Sequence, residues 1–191
     1  MNPERRAAAI TAALTAVEAF ADERGWDALP ALLGVFESTA HTGVGSLYVD
    51  ELPIDSSIWR MHTMPGARAT VPYWLGLRTI TAVMTTAKAP ELRAWTRAQI
   101  GPILALAFLG EGLDTSESGR RDATALGLPS TDDGIPVRAL TACDVDGRHY
   151  QVLRHRGAAT ITSVVLDDPP AEIRDRGISA DVRRLLSTIH A

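Results

Sequence analysis

A chain of 191 residues is long enough for one well-filled core and short for two. With 46% apolar and 22% charged residues it has ordinary globular composition, which excludes disorder of the whole chain. The formal charge of −4 weighs against a general DNA- or membrane-binding protein, and the lone Cys143 excludes an intramolecular disulfide and a multi-cysteine zinc site, which fits a cytoplasmic protein.

The opening stretch, MNPERRAAAITAALTAVEAFADERG, carries acids and has no unbroken apolar core ending in a cleavage site, so it is not expected to be an export signal. It predicts an amphipathic helix instead. Asn2 is placed to cap it, Pro3 opens its first turn, and Glu4 sits near the positive end. Ile10, Leu14, Val17 and Ala21 recur at helical spacing with Phe20 beside them, and Gly25 is expected to stop the helix. No run approaches the roughly 20 apolar residues that span a bilayer.

Residues 31–36 and 46–49 read as short strands joined through HTGVG, in which Gly43 and Gly45 fit a hairpin connection better than a phosphate loop, since no lysine-bearing nucleotide motif follows. Residues 56–61 suggest another strand, ended by Pro65 and Gly66. Thr70-Val71-Pro72 opens a helical region with Tyr73, Leu77, Ile80 and Met84 on one face, widened by Trp74 and Leu75. Ala89-Pro90 interrupts it, and a third helix over 91–99 turns Leu92 and Trp95 inward. The continuously apolar run ILALAFL, 103–109, is the pattern of a central strand buried on both faces. Residues 110–134 are rich in small and charged side chains and predict a long loop, either a lid or disordered.

The segment Ile135–Leu166 reads as a three-stranded antiparallel meander. A two-residue turn at Asp146-Gly147 sets Cys143 opposite Tyr150 and Thr141 opposite Val152. Alternation then assigns Val137, Ala139, Thr141, Cys143, Tyr150 and Val152 to the core face. A turn at Arg156-Gly157 sets Ile161 opposite Val152. The other face receives Arg138, Asp144, His149, Gln151 and His155, and these five residues are the candidate binding residues. After Pro169-Pro170, a final helix capped by Ser179 turns Val182, Leu185, Leu186 and Ile189 inward.

Chemistry-bearing motifs are sparse. No pair of histidines has metalloprotease spacing, and Asp144-x-Asp146-Gly147 lacks the later ligands of a calcium loop, so neither a metal nor a cofactor is expected. Cys143, on the apolar face, reads as an inert buried thiol. Asp144 opposite His149 has the makings of a general-base pair, but no nucleophile elbow lies nearby and the chain reads as non-catalytic. Arg148, Arg154 and Arg156 form a basic strand of the kind that binds nucleic acid, a reading the overall acidity and the single inward aromatic, Tyr150, do not favour.

The opening helix ending in Gly-Trp-Asp, the apolar run ending in Gly-Glu-Gly and the segment VRALTACDVDGRHYQVLRHRG resemble uncharacterised single-domain proteins of actinobacteria and their phages. Abundant alanine and arginine with the single lysine Lys88 agree with a GC-rich bacterial coding sequence. The resemblance implies a bacterial or phage origin and carries no activity.

The sequence therefore predicts a single α+β domain over 1–191: a mostly antiparallel sheet of five to seven strands, ending in the meander, with helices packed on one face. It favours a non-catalytic protein-binding or regulatory module that self-associates through its sheet or takes a protein partner. The alternatives are a small-molecule-binding protein or enzyme with a pocket between the sheet and loop 110–134, and nucleic-acid binding through 148–156. No membrane partner is expected.

Overall fold

The computed structural model describes residues 2–38, 47–60, 73–99 and 101–191. In chain order the elements are α1 (Pro3–Arg24), β1 (Ala31–Glu37), β2 (Leu47–Glu51), α2 (Ser57–Arg60), α3 (Tyr73–Met84), α4 (Ala89–Arg97), β3 (Ile103–Asp114), α5 (Glu117–Leu126), β4 (Ile135–Asp144), β5 (His149–His155), β6 (Thr162–Leu166), α6 (Ala171–Arg174) and α7 (Gly177–His190). The strands form one antiparallel six-stranded sheet in the order β2-β1-β3-β4-β5-β6. The α+β class and the antiparallel sheet agree with the sequence.

Local chemistry explains many of the boundaries. The Asn2 side chain accepts the Arg5 N–H at 2.8 Å, and Gly25, at φ +96°, closes α1. Pro90 lies in the first turn of α4, where its missing N–H deprives the helix of nothing, so it starts the new helix as well as ending the old one. In β1, an added Cβ on Gly34 would meet the Phe36 ring at 2.5 Å, so glycine is what lets that ring fold back along its own strand.

The helices occupy both faces of the sheet, not one. Leu32, Phe36, Leu106, Phe108 and Cys143 pack against Leu77 and Ile80 of α3, Leu92 of α4 and Val182, Leu185 and Leu186 of α7. On the reverse face Leu33, Val35, Ala105, Ala107, Leu140, Ala142, Tyr150 and Val152 pack against Ile10 and Leu14 of α1. Strands β1 and β3, apolar in both registers of the alternation, need cover on two sides, and α1 supplies the second.

Three further expectations are corrected. Residues 110–134 are not a long loop: β3 runs to Asp114, α5 follows, and Thr131 and Gly134 close a small bridge. The Ser116 side chain caps α5 by accepting the Gly119 N–H at 3.0 Å, and Gly127 ends it in the left-handed region. Its sequence hid it because glycine and Ala123 are its only buried residues, so no stripe of large apolar side chains marks the helix. Residues 57–60 are helical, not a strand; the Asp55 carboxylate accepts the Ser57 N–H at 2.8 Å and turns the chain. Helix α7 begins at Gly177 without a side-chain cap, so Ser179 lies inside its first turn. The HTGVG connection, Pro65-Gly66 and the helix opening at Thr70-Val71-Pro72 lie outside the described residues.

The meander is present, shifted by one residue. The Asp144 N–H donates to the Arg148 carbonyl at 3.2 Å, so Val145, Asp146 and Gly147 form a three-residue loop. Only Gly147 in that loop has a positive φ, +89°, which fits a three-residue hairpin and excludes the two-residue turn that needs positive φ at both central positions. Cys143 therefore faces His149, and Leu140 faces Val152. A one-residue slip exchanges the faces of a whole strand. Tyr150 and Val152 turn to the α1 side, while Thr141 and Cys143 share the α7 side with His149 and Gln151. Across the next turn Val152 faces Ser163, not Ile161.

Candidate binding groove and sheet edge

The five sequence-predicted binding residues do not form one surface. Arg138 and Asp144 lie beneath α1, His149 and Gln151 on the α7 side, and His155 at the far end of β5. Three of them are buried: Arg138 is 1% exposed, Asp144 2% and His149 6%.

Arg138 is the centre of a charge network. Its nearest cross-strand neighbours are Glu111 on β3 and Arg154 on β5, so two like charges stand opposite each other. Glu18, fully buried on α1, resolves the repulsion: it receives Arg154 at 2.8 and 2.7 Å and Arg138 at 3.5 Å. Asp22 and Glu111 meet Arg138 at 3.4 and 3.2 Å, and the Trp26 ring lies 4.4 Å from its guanidinium carbon. Arg138 also donates to the Gly25 carbonyl at the end of α1. This network locks α1 to the sheet. Arg154 is spent here, Arg156 on Asp27 at 2.8 Å, and Arg148 on Asp146 and Asp167 at 3.0 and 2.6 Å. The three arginines of the basic strand are thus each neutralised within the chain.

Asp144 is equally occupied. One carboxylate oxygen accepts the Asp146 and Arg148 N–H groups, and the other accepts the Tyr150 hydroxyl at 2.7 Å. It faces away from His149, so the two do not form a general-base pair. His155 contacts Asp114 at 2.9 Å. Burial raises the Asp114 carboxyl, but hydrogen bonds from Ser116 and His155 outweigh it and hold the group below its usual range. Burial pushes the Cys143 thiol up, the opposite of an activated nucleophile. Among the described residues no group of three or more His, Cys, Asp or Glu side chains is placed to hold a metal ion, and no described helix is long and apolar enough to cross a membrane.

His149 and Gln151 do line a cavity. A groove of about 580 Å³ runs between β4–β5, α3 and the start of α7, with Thr141 and His149 among its wall residues. His149 Nδ1 lies 3.4 Å from Ser179 Oγ. Burial, then the nearby Arg183, lowers the His149 imidazole below its ordinary value, so it is neutral at pH 7. Trp74 and Arg78 of α3 border the groove, with the Arg78 guanidinium carbon 5.4 Å from the Trp74 ring centroid. Arg176 and Gly177 stand at the uncapped start of α7. The sequence alone did not single out Thr141, Arg78, Arg176 or Ser179 as site residues, because they come from separate elements with no shared local motif.

A further exposed feature is β6, the terminal strand of the sheet. Val164 and Val165 point to opposite faces and are 42% and 36% exposed. The five residues Thr162–Leu166 include no charge and no proline, whereas the other terminal strand, β2, ends in Asp50 and Glu51. No family model, curated protein or solved structure matches the chain.

Proposed function

We propose that the chain is a non-catalytic protein-binding or regulatory module that pairs with a second copy of itself along β6. The free edge of β6 carries this reading. An outermost strand presents unpaired backbone N–H and C=O groups, and proteins that stay monomeric guard such edges with charge, proline or a bulge. In Thr162–Leu166 none of these is present, and its valines are exposed on both faces.

The strand is also self-complementary. Antiparallel pairing about a two-fold axis at Val164 sets Val164 against Val164, Ser163 against Val165 and Thr162 against Leu166. Asp167 and Asp168 then oppose Ile161 and Thr160 rather than each other, so no like charges meet. The pairing extends two six-stranded sheets into one. Neutralisation of Arg148, Arg154 and Arg156 within the chain disfavours a nucleic-acid partner. A cytoplasmic setting is part of this reading, supported by the single buried thiol.

Light scattering on a size-exclusion column tests the proposal. The wild-type chain is expected to elute as a dimer. Val164→Lys and Val164→Asp are each expected to be monomeric, because like charges then face each other at the axis, and an equimolar mixture of the two is expected to dimerise. A monomeric wild type, or two variants that remain dimeric, would overturn it.

A further inference from the structure

We infer that the groove between β4–β5, α3 and the start of α7 binds a small organic oxyanion, a carboxylate or a phosphate ester on a flat apolar body. The inference is independent of the β6 pairing, since one copy of the chain builds the whole groove.

Three observations converge. Helix α7 is fourteen residues long and begins without a side-chain cap, so the first-turn N–H groups of Gly177, Ile178 and Ser179 have no carbonyl of their own helix to bond. These residues border the groove, and the positive end of the helix dipole lies with them. Separately, Thr141 on the sheet floor is only 6% exposed, yet its hydroxyl has no hydrogen-bond partner among the described residues. The side chain is buried on the groove floor while the hydroxyl itself opens to the groove, so a ligand atom that enters meets a donor and acceptor with no competing partner among the described residues. The Gln151 amide, beside it, is likewise unpartnered among the described residues.

Charge identifies the ligand class. Arg176 makes no ion pair among the described residues, and Arg78 meets Asp181 only at 3.9 Å while 60% of its side chain is exposed. Glu172 is the one carboxylate among the described wall residues and Asp181 stands beside Arg78, so Arg176 is the groove's guanidinium without an ion pair among the described residues. Guanidinium groups and helix N–H groups together suit an oxygen anion, which accepts several charge-assisted bonds at once. Trp74, 40% exposed beside Arg78, offers a ring on which a flat ligand body stacks. The anion then lies at the mouth between Arg176, Arg78 and the α7 start, and a polar substituent of the body reaches Thr141.

The test is heteronuclear NMR of the full chain titrated with benzoate, phenyl phosphate, inorganic phosphate and, as the neutral control, benzyl alcohol. Expected are shifts confined to the Gly177, Ile178 and Ser179 amides, the Thr141 methyl and the Trp74 indole, with either aromatic anion binding more tightly than benzyl alcohol. Tighter binding of phenyl phosphate assigns a phosphate ester; tighter binding of benzoate assigns a carboxylate. Arg176→Ala and Arg78→Ala are each expected to weaken the preferred anion about tenfold, with unchanged circular dichroism. For salicylate, whose hydroxyl reaches further than benzoate, Thr141→Val is expected to abolish any gain over benzoate without lowering the melting temperature. Absence of shifts with all three anions, shifts scattered outside the groove, or affinities unchanged in both arginine variants would overturn the inference.

Discussion

The Tyr150 hydroxyl donates to Asp144 Oδ2 across 2.7 Å, and neither side chain is more than 2% exposed. The second oxygen of the same carboxylate holds the N–H groups of Asp146 and Arg148 at 3.0 and 2.8 Å. One buried acid therefore closes the β4–β5 loop and anchors the Tyr150 ring on the α1 side of the sheet.

Replacing Tyr150 by Phe leaves that oxygen with only Arg148, at 3.8 Å. The variant is expected to lose about 2 kcal/mol in urea denaturation. Its pH dependence is more diagnostic. Burial, and next the bond to Asp144, push the Tyr150 hydroxyl well above its ordinary 10.0. The unfolded phenol ionises near that ordinary value while the folded one keeps its proton, so the stabilisation is whole below about pH 10 and is lost as pH rises above it. The wild-type melting temperature is expected to fall more steeply above pH 10 than that of Tyr150→Phe. Parallel slopes would contradict this.

Glu18 separates Arg138 from Arg154, which stand directly opposite on neighbouring strands. Glu18→Leu removes the acid and leaves two buried or half-buried cations facing each other. The expected loss is about 3–5 kcal/mol. Adding Arg154→Met is expected to recover part of it, because the repulsion goes with the second charge. A double-mutant cycle by denaturant unfolding measures the coupling, and additive effects would argue against the network.

Gly119 lies inside α5, where replacement of glycine by alanine ordinarily stabilises by about 0.5–1 kcal/mol. Here an added Cβ would fall 2.1 Å from Asp114 Oδ2. That oxygen contacts His155 at 2.9 Å, and its partner oxygen accepts the Ser116 N–H at 2.8 Å, so the carboxylate is held from two sides. Gly119→Ala is therefore expected to lower the melting temperature. A rise would show that Asp114 moves freely.

The loop Val145–Gly147 separates two neighbouring positions. Gly147→Ala places a side chain at φ +89° and is expected to destabilise by about 1–2 kcal/mol. Asp146→Ala meets no such strain and gives up only partly exposed pairs with Arg6 and Arg148, so its expected effect is below about 1 kcal/mol. Comparable losses at both positions in thermal denaturation would point to the two-residue turn instead.

Much of the architecture is written locally. Asn2, Pro3 and Gly25 determine where α1 begins and ends, the run Ile103–Leu109 marks a strand buried on both faces, and the spacing of Val182, Leu185 and Leu186 turns α7 inward. These follow from backbone chemistry and periodicity, which act over a few residues. Helix α5 escaped because its inward residues, Gly119 and Ala123, are too small to draw a stripe.

The candidate site was not legible in the same way. Asp-Gly fits a two-residue or a three-residue loop, and the difference of one residue decides whether Thr141 and Cys143 share a face with Tyr150 or with His149. Only cross-strand hydrogen bonding, Asp144 to Arg148, selects between them. Strand alternation puts Arg138 on the face opposite Val137 and Ala139, and only Glu18, 120 residues away on α1, makes that position a buried ion pair. The sequence by itself determined α1, the doubly buried strand β3 and the inward face of α7, since those rest on near neighbours. Tertiary structure decided which polar residues are spent on one another and which, such as Thr141 and Arg176, are left facing a groove, because that depends on partners no local pattern records.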